Sequence, residues 1–255
     1  MEMDTEPNRP YFFGDIGCWS ERTEVHEAAA LGHALRLQEL IQSGASVNIV
    51  AVDSITPLHE ACIQGQTQCA RLLLDAGAQL LLERGATVNP ALTSRTTSPL
   101  HEACMGGNSD CVRLVISKGA ELEAYDLYYG TPLHVACANE HVDCAKALLN
   151  AGARVNAARL HETALHHAAK VKNVELIEML VEFGGNVYAR DKHDKKPIDY
   201  TKHGSPPALC LQFYESTPLS LQHLSRVALR TALALGGSEE MGKHNGPALF
   251  SSCSR

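Results

Sequence analysis

Thr131-Pro132-Leu133-His134 is the stretch on which the fold of this chain turns. Threonine caps a helix N-terminus with its side-chain oxygen, and proline suits the first helical position, where its missing N–H costs nothing. Leu133 and Ala136 then fall on the inward face of the helix so begun. In sister segments a polar turn follows, Gly65-Gln66-Thr67 or Gly106-Gly107-Asn108. An apolar set comes next, Leu72 to Leu74 in one segment and Ala147 to Leu149 in another. Gly-Ala ends this second helix, glycine supplying the left-handed residue past its end. A short extended finger leads on to the next copy.

The pattern recurs on either side of this stretch. The motif histidine stands at His26, His59, His101, His134 and His166, with gaps of 33, 42, 33 and 32 residues. The closing glycine stands at Gly44, Gly77, Gly85, Gly119, Gly152 and Gly184, with gaps of 33, 8, 34, 33 and 32. A 33-residue period, broken once, predicts repeated helix–turn–helix units that bury their apolar faces only against neighbours, an elongated solenoid.

Composition agrees. Of 255 residues 45% are hydrophobic, enough for a core, while aromatics are 5%, with Trp19 the sole tryptophan, which favours small-residue helix packing over a β-sandwich. The net charge of -7 argues against a general nucleic-acid binder. Met1-Glu2-Met3-Asp4-Thr5-Glu6 is acidic and precedes no apolar core, so no signal peptide is expected, and no apolar run approaches the ~18 residues of a membrane span. Nine cysteines without a CxxC pair are expected to be reduced thiols of a cytoplasmic or nuclear protein.

Thr56-Pro57-Leu58-His59, Ser98-Pro99-Leu100-His101 and Thr131-Pro132-Leu133-His134, with the weaker Thr23-Glu24-Val25-His26 and Thr163-Ala164-Leu165-His166, resemble ankyrin repeats. Lys196-Pro197-Ile198-Asp199-Tyr200 reads as the start of a sixth, degenerate unit. The resemblance spans residues 21–200, after an N-terminal extension over 1–20, and implies an all-α ankyrin solenoid.

The 42-residue gap holds Leu80-Leu81-Leu82-Glu83-Arg84-Gly85-Ala86-Thr87-Val88-Asn89, the end of a second helix and its finger with no first helix before them. Residues 80–89 therefore read as a truncated repeat lacking about 25 residues. The preceding helix either runs on through Gly77 to Arg84, at about 1 kcal/mol for an interior glycine, or the segment loops out and exposes Leu80 to Leu82. The continuous helix is preferred.

Several chemical signals dissolve on inspection. His-Glu recurs at 26–27, 59–60, 101–102 and 161–162, but a zinc protease needs a second histidine four residues after the first. Ala30, Ile63, Met105 and Leu165 stand there. The recurring histidine is read instead as structural, hydrogen-bonded within its turn. Cys62/Cys69, Cys104/Cys111 and Cys137/Cys144 are seven apart, too far for the usual zinc spacing, and are read as buried packing thiols. The run Asp191-Lys192-His193-Asp194-Lys195-Lys196 is read as a solvated finger tip. No catalytic residue, cofactor or metal is expected.

Beyond a linker over 201–216, which includes Gly204-Ser205-Pro206-Pro207, apolar residues at Leu221, Leu224, Ala228 and Leu229 predict an amphipathic helix over 217–235. Ser220-Leu221-Gln222-His223-Leu224-Ser225-Arg226, with Leu229-Arg230 after it, resembles the start of a SOCS box, and the whole chain resembles the ankyrin repeat and SOCS box family. The resemblance implies a substrate-recognition subunit of a cullin–RING ubiquitin ligase, not itself an enzyme. The stack would bind an unidentified target protein, with no nucleic acid or membrane as partner. Leu221, Leu224, Ser225 and Leu229 would contact Elongin C of the Elongin B/C pair, and a later Leu-Pro element would select Cullin-5. Two departures stand out. Ser225 occupies the family's cysteine position, a loss of about 1 kcal/mol if its hydroxyl bonds back to the preceding turn. The divergent tail, 236–255, expected to be disordered, holds no Leu-Pro element; Gly246-Pro247-Ala248-Leu249-Phe250 reverses the order. A binding module uncoupled from ubiquitination is the alternative reading.

Overall fold

The computed structural model describes residues 22–51, 54–79, 88–89, 97–126, 128–217, 224–225 and 227–229. Five helix pairs follow one another: α1 (Glu24–Ala30) and α2 (Ala34–Gln42), α3 (Pro57–Ile63) and α4 (Thr67–Gln79), α5 (Pro99–Met105) and α6 (Ser109–Ser117), α7 (Pro132–Ala138) and α8 (Val142–Asn150), α9 (Ala164–Val171) and α10 (Val174–Glu182). First helices pack on first helices and second on second, in chain order. The core is therefore a continuous strip of Ala, Leu, Val and Cys between two helical layers. A two-residue antiparallel pair, β1 (Ala158–Arg159) and β2 (Glu162–Thr163), shapes the fourth finger.

The Thr/Ser-Pro-Leu-His logic holds at the helix starts. Thr56 and Ser98 accept the N–H of His59 and His101 three residues on, with proline at the first helical turn. The cysteine pairs are buried packing groups: Cys69 faces the Ala28 carbonyl of the preceding repeat, and Cys111 Sγ lies 3.2 Å from Thr67 Oγ1.

The first repeat departs from the others for a reason visible in the stack. Glu24 stands where Pro57, Pro99 and Pro132 are buried, and Arg36 where Cys69, Cys111 and Cys144 are buried. Those positions face the preceding repeat, and among the described residues no helix pair precedes α1 and α2. Glu24 and Glu39 pair with Arg36 at 2.8 and 3.3 Å on the solvent side. What reads as a weak motif copy is a polar end cap.

Two expectations need correction. The linker over 201–216 is in large part a helix, α11 (Pro206–Ser216), with Pro206 at its first position and Leu211 fully buried. It packs on α10 and on a 3-10 turn at Pro197–Tyr200, so these two elements complete a sixth unit. The charged tip at 191–196 is not wholly solvated either, since Asp191 is buried and organises the loop.

At the broken period, α4 passes through Gly77 and continues to Gln79, whereas Gly44, Gly119, Gly152 and Gly184 all take φ between +87° and +99° at the ends of their helices. Residues 80–87, the rest of the preferred continuous helix, lie outside the described residues, as do 1–20 and 236–255. The truncated unit nevertheless contributes its finger. Asn89 donates to the Gly119 carbonyl (3.2 Å) and accepts the Glu121 N–H (2.8 Å). Asn156 makes the same pair of bonds to Gly184 and Asn186 (2.9 and 2.8 Å). The second structural repeat is thus a hybrid: its helices come from one sequence unit and its finger from the next. α3 packs directly on α5, so the stack is continuous across the 42-residue gap.

Candidate functional site

The motif histidines set where the fingers stand. In the second to fifth repeats Nδ1 accepts the N–H of the capping Thr or Ser at 3.1–3.3 Å. The hydrogen is therefore on Nε2, and it is donated onward to the next finger. His26 reaches the Ile55 carbonyl (3.1 Å), His101 that of Gly130 (3.0 Å), His134 that of Glu162 (3.2 Å) and His166 that of Lys195 (3.2 Å). At His59, whose next finger follows the 42-residue gap, Nε2 has no hydrogen-bond partner among the described residues, although the Thr97 carbonyl lies close enough to raise its pKa. Burial dominates and holds the His59 pKa down at about 4.

The finger tips so placed carry exposed large side chains. Tyr128 and Tyr129 lie on the third finger and Leu160 on the fourth, with Tyr128 66% exposed. Leu160 and His161 both hold positive φ (+47° and +70°) at the tip of the β1–β2 turn, a geometry that ordinarily selects Asn-Gly. On the fifth finger Asp191 accepts the N–H groups of His193 and Lys195 (2.8 and 2.9 Å) and the Tyr200 hydroxyl. The Tyr200 bond above all keeps its carboxyl well below the usual range, while the phenol is pushed up to about 12.

At the other end, residues 224–225 and 227–229 are helical. Val227 is half-buried over Gly184 at the end of α10, so close that a Cβ on that glycine would sit 2.8 Å from Val227 Cγ1. Leu224 and Leu229 are 49% and 62% exposed, and Ser225 and Ala228 are exposed as well. At about 100° per residue, 224, 228, 225 and 229 span one side of the helix and 227 falls beyond its edge. The expected contact residues Leu224, Ser225 and Leu229 thus share an outward face, and Leu221 lies outside the described residues. Sequence reasoning missed Val227 as the seat of this helix, and it also missed the exposed pair Leu209 and Phe213 on α11, four apart and hidden by the expectation of a linker. Among the described residues no cluster of His, Cys, Asp and Glu could hold a metal, and no helix is long and apolar enough to cross a membrane.

Helix pairs stacked by one conserved-in-place cap and joined by fingers define an ankyrin-repeat protein, and the family description "Ankyrin repeats (3 copies)" matches residues 25–126, 75–159 and 124–191. Ankyrin repeat and SOCS box protein 13 of Mus musculus and of Homo sapiens are each 60% identical over 261 residues, covering 92% of this chain and 93% of the relative. Ankyrin repeat and SOCS box protein 5 of Bos taurus is 36% identical, over 84% of this chain and 72% of the relative. The ankyrin repeat domain of human ASB11 is a solved structure with 32% identity and a TM-score of 0.49, covering 78% of this chain and all of that one. The chain belongs to the ankyrin repeat and SOCS box family. The match to its protein 13 relatives spans 261 positions, more than the 255 residues present here, so those relatives carry residues that this chain lacks.

Proposed function

We propose that this chain is a non-catalytic substrate-recognition subunit of a cullin–RING ubiquitin ligase, acting in the cytoplasm or nucleus. The ankyrin stack binds the target protein and the helix around Leu224 binds Elongin B/C. Family membership supports this, and one observation carries the second half of it. Leu224, Ser225 and Leu229 face outward while Val227 anchors the same helix to Gly184. Large apolar side chains held at a solvent-facing surface are stabilised by a partner that covers them.

Residues 236–255 supply no Leu-Pro element, which favours a second reading, a module that binds its target and Elongin B/C without engaging Cullin-5. Both are tested by co-purifying the chain with Elongin B/C and then adding Cullin-5. Leu224→Asp with Leu229→Asp is expected to abolish Elongin capture and leave the melting temperature unchanged, since neither side chain is part of the core. Capture of Elongin without Cullin-5 selects the uncoupled reading. No capture of Elongin by the parent chain sinks both.

A further inference from the structure

The carboxylates of the last two fingers are engaged within the fold. Glu162 accepts Lys170 Nζ at 2.7 Å, Asp194 pairs with Arg190 at 2.8 Å, and Asp191 is held by two backbone N–H groups and Tyr200. Asp199 accepts the Lys196 N–H (2.8 Å), and Glu215 of α11 takes the Lys196 ammonium (3.1 Å). On the third finger Glu123 accepts the Arg154 N–H at 2.7 Å.

The cations are not matched in the same way. Lys192, His193 and Lys195 are exposed at the fifth tip, where Lys192 makes no ion pair with any described residue and Lys195 lies 5.5 Å from the Tyr200 ring centre. The histidine bonds from His134 and His166 hold the fourth and fifth fingers in sequence beside the third. Three adjacent tips therefore run from aromatic (Tyr128, Tyr129) through aliphatic (Leu160, on its strained turn) to cationic (Lys192, Lys195), in a chain whose net charge is -7.

We infer that the third to fifth fingers are the target-docking surface, and that they take an extended acidic segment of a protein. An apolar side chain of that segment rests on Tyr128, Tyr129 and Leu160, and its carboxylates meet Lys192 and Lys195. Tyrosines give large contact area at little rotamer cost, so they suit an anchor subsite. The net negative charge disfavours general association with an acidic segment, so its binding depends on local cations such as those of the fifth tip. A non-glycine pair held at positive φ is a strain that a binding surface commonly stores. This inference rests on the reading of the stack as a target-binding module.

The test uses the full chain and a fluorescent peptide in which an apolar dipeptide precedes a run of glutamates, followed by anisotropy. Saturable binding that weakens with added salt is expected. Lys192→Glu with Lys195→Glu is expected to weaken it about tenfold or more, and Tyr128→Ser with Tyr129→Ser several-fold. All four side chains are exposed, and unchanged melting temperatures confirm intact folds. Equal affinity in the charge-reversed variant overturns the inference, and so does equal or tighter binding of a lysine-run peptide or a single-stranded oligonucleotide. Elongin B/C capture on the same preparations separates the two proposals: intact capture with an indifferent peptide sinks only the docking surface, and lost capture with the expected peptide behaviour sinks only the ligase role.

Discussion

A motif histidine in this stack works as a neutral ring with one fixed tautomer. Nδ1 takes a hydrogen from the cap behind it and, at His26, His101, His134 and His166, Nε2 gives one to the finger ahead. Burial pushes the pKa of His26, His59, His101, His134 and His166 below the usual 6.5, His59 down to about 4, and holds His167, the non-motif neighbour of His166 on α9, at about 4 as well. The sign follows from linkage. Above pH 6.5 these rings are neutral in folded and unfolded chains alike, and their full contribution is present. Between 6.5 and about 4 the unfolded chain binds protons that the folded rings refuse, so stability falls, and below about 4 His59 and His167 cause no further loss. For His59 alone the loss is on the order of 3 kcal/mol. Urea unfolding at stepped pH is expected to show a midpoint that declines steadily from pH 7 to 4.5. A flat midpoint there would show that these rings are not buried neutral. The structural role of these histidines was legible from their place in the motif, but their second partner was not, because the acceptor belongs to a finger about a whole repeat further on.

At the scale of elements, what sequence could not resolve was a choice between two uses of one signal. Ser205-Pro206-Pro207 serves equally as a loose connector and as a helix start, and only the burial of Leu211 against α10 decides for α11. Glu24 in the proline position likewise looks like decay until its exposed pairing with Arg36 is seen. The site divides the same way. The outward face of Leu224 and Leu229 was readable from their spacing, whereas the docking character of the fingers depends on which tips stand side by side. The hybrid repeat offers a sharp check. If Asn89 closes the gap in the stack as Asn156 closes an ordinary junction, Asn89→Ala and Asn156→Ala should each cost about 1–2 kcal/mol, since each removes two hydrogen bonds. A thermal-melt series in which Asn89→Ala is silent and Asn156→Ala is not would show that the hybrid junction carries no load.

For the whole molecule, nearest-neighbour stacking makes length adjustable. Because α3 meets α5 as α7 meets α9, a unit truncated by about 25 residues, as the 42-residue gap reads, would shorten the stack without unmaking it. Everything before the junction then sits one packing distance nearer the terminal helix, roughly 8–10 Å for helices in contact. A target touching repeats on both sides of the junction would meet a different spacing from that of the longer relatives. One touching only the third to fifth fingers would not.

The polar first repeat has a consequence outside the single molecule. Each unit fits the back of the unit before it, which is a head-to-tail contact, and head-to-tail contacts that do not close produce open filaments. A chain with the ordinary motif at its first repeat would present, at its leading end, a surface shaped for the trailing end of another copy. Glu24, Arg36 and Glu39 put three charges on that surface. Glu24→Pro with Arg36→Cys is therefore expected to polymerise with rising concentration in sedimentation velocity runs under reducing conditions, where the parent chain does not. Charge on the exposed face of α1 and α2 thus disfavours a head-to-tail contact between copies.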